Sequence, residues 1–164
     1  GAIGSAHVRR QITIEVDHAD EDHAVEIDRE QIDQVFTNLV INARDASPEG
    51  SKISIEARRD PAGSTYSFGV VENPDRFVHF AVTDEGSGIP ENMLKSIFEP
   101  MITTKRHGTG LGLGVTHLIV SSHGGHVFAE STEGEGTTMH VFLPEASRRQ
   151  ESESSGEESA GASE

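Results

Sequence analysis

The stretch Asp28–Ala46, DREQIDQVFTNLVINARDA, constrains the chain more than any other, because it repeats the helical period without a break. Asp28 is a good N-cap, and Gln31 three residues later completes a capping-box pattern. Ile32, Val35, Phe36, Leu39, Val40 and Ala43 recur at three- and four-residue steps and form one apolar face. Asn38, Asn42 and Asp45 lie on a different stripe and project together. Amides and a carboxylate so aligned can coordinate a hard cation or orient a phosphate. A solvated polar face has the same appearance, and the helix alone leaves both readings open.

The rest of the chain sets the frame. Its 164 residues make one domain with room for a core. A net charge of −15 argues against a nucleic-acid-binding surface, which would need a basic patch. With no cysteine, disulfides and thiolate zinc sites are excluded and a reducing, cytoplasmic setting is expected. No apolar run approaches the roughly 20 residues of a membrane span, and no signal peptide is visible. Residues 1–7 read as a cloning remnant or linker, and 8–144 as the folded domain. Residues 145–164, Ser/Glu-rich and without periodicity, read as a disordered tail or linker.

Strands are expected at Gln11–Val16, Val25–Ile27, Lys52–Arg58 and Phe77–Val82, with a closing pair at His126–Glu130 and Thr137–Leu143. The acidic loop Asp17–Ala24 lacks the glycine and terminal glutamate of a calcium loop and reads as a solvated turn. Asp60–Asp75 reads as a long hairpin connection without chemistry, its middle (Tyr66–Val71) extending the strands. Asp84-Glu85-Gly86-Ser87-Gly88-Ile89 puts a carboxylate at a strand end, before glycines that let backbone approach a ligand closely; a tight turn is the plainer alternative. A short helix follows at Glu91–Ile97, then a polar, basic loop with Thr103, Thr104, Lys105 and Arg106. Gly108-Thr109-Gly110-Leu111-Gly112-Leu113-Gly114 opens a helix over Val115–His123, where free N–H groups make an anion site. The pattern is neither a Walker A loop nor GxGxxG.

Taken in order, Asn38-x3-Asn42-x2-Asp45, Asp84-x-Gly86-x-Gly88, Phe98-Glu99-Pro100 with Thr103-Thr104-Lys105, Gly108-x-Gly110-x-Gly112 and Gly136-Thr137-Thr138 resemble the catalytic and ATP-binding domain of bacterial sensor histidine kinases. That group is related to DNA gyrase, Hsp90 chaperones and MutL. The resemblance covers roughly residues 8–144 and implies an α/β (α+β) two-layer sandwich of the Bergerat type. In it a mixed, mostly antiparallel sheet packs on three helices, and ATP lies under a lid. It further implies that Asn42 holds Mg²⁺. Asn38 stands where related ATPases place a water-activating glutamate, so hydrolysis should be slow and the γ-phosphate kept for a protein acceptor. Asp84 is implied to accept from the adenine 6-amino group, with Gly86, Gly88 and Ile89 beside the base and Thr137 or Thr138 closing that side. Gly108, Thr109, Gly110, Leu111 and Gly112 would hold the phosphates, with Thr104, Lys105 and Arg106 in the lid.

Many histidine kinases carry lysine at the position of Asp45, whereas Asn42-Ala43-Arg44-Asp45-Ala46 resembles the nitrogen-sensor-like subgroup; cationic help would then come from Arg44, Lys105 or Arg106. Met101-Ile102 replaces the usual aromatic pair, and only Arg106 and His107 separate Lys105 from Gly108, a short lid. None of the nine histidines has the family's phosphoacceptor context, so the acceptor would lie on a separate dimerisation domain, with a response regulator downstream and this domain monomeric. His79, His117 and His123 read as packing or surface residues. A serine kinase of the anti-sigma type, an ATP-driven clamp and a nucleotide-binding module without turnover share the fold. The Phe-Glu-Pro and Thr-Thr-Lys segments count against the first and the amide at Asn38 against the second.

Overall fold

Asp28 caps the long helix as its sequence requires: its Oδ1 accepts from the backbone N–H groups of Glu30 (2.9 Å) and Gln31 (3.3 Å). The helix, α1, spans Arg29–Ala46 and buries Val35, Leu39 and Ala43. A computed structural model describes residues 12–17, 24–25, 27–99 and 112–146. Its other elements are β1 (Thr13–Asp17), β2 (Lys52–Arg58), a 3-10 turn (Pro74–Arg76), β3 (Phe77–Asp84), α2 (Glu91–Leu94), α3 (Gly112–Ser122), β4 (His126–Thr132) and β5 (Gly136–Pro144).

The five strands form one sheet in the order β1-β2-β3-β5-β4. Only β1 and β2 run parallel; the other neighbours are antiparallel. Period-two alternation sends Ile53, Val82, Val127, Met139, Val141 and Leu143 to one face, where they meet Val35, Leu39 and Ala43 of α1 and Ile119 and Val120 of α3. Phe36 meets Phe80 edge-on across this interface, ring centroids 5.0 Å apart. The mixed, mostly antiparallel sheet under helices is the expected architecture. The expected third helix is a single turn, α2, because the chain passes into turns after Leu94. Of the strand expected at Val25–Ile27, the described residues show an isolated bridge from Val25 to Glu145 and a bend at Ile27. The body also continues past residue 144: Glu145 is buried and ion-paired with Arg59, and Ala146 donates to Ala24 O at 2.8 Å. No helix among the described residues is long and apolar enough to cross a membrane.

The opposite face of the sheet departs most from expectation. Residues 59–76 do not extend β2 and β3; they cross this face as a strap. Phe68 stacks on His140 (centroids 3.8 Å) and packs near Phe128 and Phe142, and Tyr66 meets Phe142 and His79 edge-on. Under it a chain of close polar contacts runs from Asp60 to His79 Nδ1 (2.8 Å), from His79 Nε2 to His140 Nδ1 (2.8 Å), and from His140 Nε2 to Glu130 (3.2 Å). Tyr66 donates to Asp60, and Arg58 Nε lies 3.0 Å from its other oxygen. Burial pushes both imidazoles below the ordinary histidine value despite the carboxylate at each end. Burial alone would raise Asp60, but hydrogen bonds from Tyr66 and His79 and the nearby positive charge outweigh it and hold the carboxyl low. Burial and the Asp60 carboxylate together raise Tyr66.

The two imidazole shifts and that of Asp60 share one sign. Below about pH 6.5 the unfolded chain protonates its imidazoles while the folded one resists, so stability is full above that value and declines as pH falls. Urea denaturation between pH 8 and pH 5 should show the decline. His140→Phe keeps a ring on Phe68 but removes a titrating group, so its slope should be shallower; an unchanged slope contradicts the assignment.

Candidate nucleotide site

At one end of the helix-facing side of the sheet, three strands place polar residues in a row. Strand register puts Asp84 at the end of β3 opposite Thr137 on β5, and Thr137 opposite Ser131 on β4. Asp84 is 7% exposed, and a buried carboxylate must be held by donors. Its Oδ1 accepts from the backbone N–H of Gly86 at 2.8 Å and of Thr137 at 3.3 Å, fixing the plane of the group.

The glycines around Asp84 answer to protein packing as well as to any ligand. A Cβ at Gly86 would lie 2.5 Å from Ala46 O, the last residue of α1. That carbonyl, left without an intrahelical partner, accepts from Ser87 N–H at 3.3 Å. Gly88 has φ +74°, and a Cβ there would meet Thr132 O at 2.3 Å. The loop is thus clamped between the end of α1 and the β4–β5 turn, where Gly134 N–H donates to Ser87 O at 2.7 Å. Ile89 is half-buried and donates its N–H to Ser131 Oγ at 2.8 Å.

The second half of the site lies one to two turns back along α1. Asn38 and Asn42, both half-buried, face the first residue of α3. Asn38 Nδ2 donates to Gly112 O at 3.4 Å, and a Cβ on Gly112 would lie 3.7 Å from Asn42 Nδ2. The helix begins at Gly112, earlier than the apolar period starting at Val115 suggests. Asp45 is exposed and lies 3.6 Å from the guanidinium of its neighbour Arg44. Thr104, Lys105, Arg106, Gly108, Thr109, Gly110 and Leu111 lie outside the described residues. His117 is exposed near Phe98, and His123 Nδ1 donates to Ile119 O at 2.7 Å to close α3, so neither belongs to the site.

Ser131 escaped the sequence reading. It carries no motif of its own, and only the pairing register brings it to Thr137. Thr137 rather than Thr138 turns to Asp84; Thr138 lies on the other face, 3.0 Å from Thr83.

Residues 27–147 match the histidine kinase-, DNA gyrase B-, and HSP90-like ATPase family, and the chain belongs to it. Among similar proteins, the sensor kinase CckA of Brucella abortus is 41% identical over 140 residues, 84% of this chain and 15% of that protein. The sensor histidine kinase ZraS of Escherichia coli is 39% identical over 120 residues, 73% of this chain and 23% of that one. The solved catalytic domain of histidine kinase ThkA superposes with a TM-score of 0.65 at 35% identity, covering 81% of this chain and 78% of the other. The chain is a histidine-kinase-type ATPase domain and spans under a quarter of these full-length relatives.

Gly136 tests the packing account. Its φ is +123°, and a Cβ would sit 2.2 Å from Asp84 O. Gly136→Ala should therefore displace Asp84 and abolish ATP binding in a titration. Gly50→Ala, strained only by φ +81° with nothing within 4 Å, should bind normally and lose about 1 kcal/mol in urea denaturation.

Proposed function

We propose that this domain binds Mg–ATP along the C-terminal half of α1 and transfers the γ-phosphate to a histidine on a separate dimerisation domain of its parent protein. A response regulator would be served downstream, on the cytoplasmic side where ATP is found. One observation carries the reading. The last turns of α1 touch both halves of the site, Ala46 against Gly86 beside Asp84, and Asn38 and Asn42 against Gly112. Ala46 and Asn42 are four residues apart, about 6 Å along the helix, a separation suited to one nucleotide with its base at Asp84 and its phosphates at Asn42.

Each residue has work its chemistry permits. Asp84, held by two N–H groups, accepts from a 6-amino group. Asn42 offers an amide oxygen, which suits Mg²⁺. Among the described residues no three carboxylate, thiol or imidazole groups converge on a metal, so the ion would be shared with phosphate and water oxygens. Bound there, Mg²⁺ neutralises charge on the triphosphate. Asn38 cannot take a proton from water, which spares ATP for a protein acceptor. Transfer of this kind rests on positioning and charge neutralisation. Lys105 and Arg106 are the cations we assign to the lid, with Thr104 beside them and Gly108, Thr109, Gly110 and Leu111 along the phosphates.

Asn42→Ala and Asp84→Ala should each abolish Mg–ATP binding by calorimetry, and tight binding in either would sink the site assignment. Supplied with the parent's histidine-bearing hairpin domain, this chain should label it from γ-labelled ATP with acid-labile phosphate. Acid-stable phosphoserine on a protein substrate would instead favour a serine kinase.

A further inference from the structure

The Ser131 hydroxyl has three polar neighbours at hydrogen-bond distance, and their chemistry leaves one consistent arrangement of hydrogens. Ile89 N–H donates to Ser131 Oγ at 2.8 Å. Gly136 O, also 2.8 Å away, can only accept, so Ser131 must give it its single hydrogen. Thr137 Oγ1 is 2.8 Å from Ser131 Oγ, and with that hydrogen committed Thr137 must be the donor. Both lone pairs of Ser131 are then filled. The consequence falls on Thr137: its hydrogen points at Ser131, so its oxygen presents only acceptor capacity to the rest of the site. Thr137 is 8% exposed, and its backbone N–H is spent on Asp84.

We infer that Ser131 is a positioning residue for base selection, locking the Thr137 hydroxyl as an acceptor beside the Asp84 carboxylate so that the pocket favours a 6-amino purine over a 6-oxo purine. This rests on the nucleotide assignment made above and deepens it. A 6-amino group brings hydrogens that both oxygens can receive. A 6-oxo group brings lone pairs toward two acceptors, and such buried clashes discriminate more strongly than a lost contact. Without Ser131 the Thr137 hydroxyl can turn and donate, which relieves the clash. The same serine ties the Gly86–Ile89 loop to the β4–β5 hairpin, so a purely structural role would weaken every nucleotide alike.

The two roles separate by a ratio. Affinities of the 164-residue chain for ATP and for inosine triphosphate, which carries a 6-oxo group and an N1–H in place of the 6-amino group and bare N1, are measured by displacement of a fluorescent ATP analogue with Mg²⁺ present. Ser131→Ala should lower the ATP preference about fivefold, with inosine triphosphate bound no more weakly than by the parent chain. Ser131→Thr, which restores a hydroxyl, should recover it. In a Thr137→Val background Ser131→Ala should leave the ratio unchanged, because the hydroxyl it orders is gone. Equal losses for both nucleotides, or an unchanged ratio in Ser131→Ala, overturn the inference. Asp84→Ala run alongside tells the two failures apart. If it abolishes ATP binding while Ser131→Ala leaves the ratio alone, only the role of Ser131 falls; if it binds ATP normally, the nucleotide assignment falls with it.

Discussion

The pairing of the Asp84 carboxylate with the N–H groups of Gly86 and Thr137 is the contact on which the site depends. A carboxylate this buried is costly unless donors surround it, and two of them are backbone groups from different elements. The consequence is geometric. β3, the glycine loop and β5 are fixed to one another within a hydrogen bond's tolerance, and the loop is in turn pressed against Ala46 at the end of α1. The helix that carries the asparagines is thereby held in register with the strand end that carries the aspartate.

The two faces of the sheet solve different problems. The helix side is a conventional apolar core whose layers close tightly because Val35, Val120, Val141 and Leu143 are fully excluded from water. The other face carries His79, His140 and Phe142 at positions where a two-layer domain would meet solvent. The 59–76 strap covers it with aromatic rings and joins two imidazoles and two carboxylates into a chain of polar contacts. Buried polar groups in such a chain are satisfied only while the strap stays in place, so the strap contributes specificity as well as burial. Its chemistry lies on the face away from Asp84 and the asparagines, so it acts on stability and leaves the proposed nucleotide site to the helix side.

Much of the site was legible because its motifs are local. Asp28 capping the helix, the stripe of Asn38 and Asn42, and the aspartate followed by alternating glycines all express chemistry within a few residues. What local patterns missed involved partners far apart in the chain. Ser131 sits in an ordinary strand, and nothing near it signals that it meets Ile89 and Thr137. Residues 60–75 looked like a featureless connection because their partners, His79, Phe128 and His140, are spread over three strands. Helical spacing places Asp45 with the asparagines; it lies a further turn along, exposed and beside Arg44.

The sequence by itself determined the family, the helix and strand periods, and the residue types at the proposed nucleotide site, because hydrophobic period and short motifs are encoded over a few adjacent positions. Only the tertiary structure decided which threonine lies beside Asp84, where the strap lies, and why Gly86, Gly88 and Gly136 must be glycine. Those answers depend on backbone carbonyls of Ala46, Thr132 and Asp84 approaching from elsewhere in the chain. Such close approaches follow from how the elements pack against one another, which no single segment encodes.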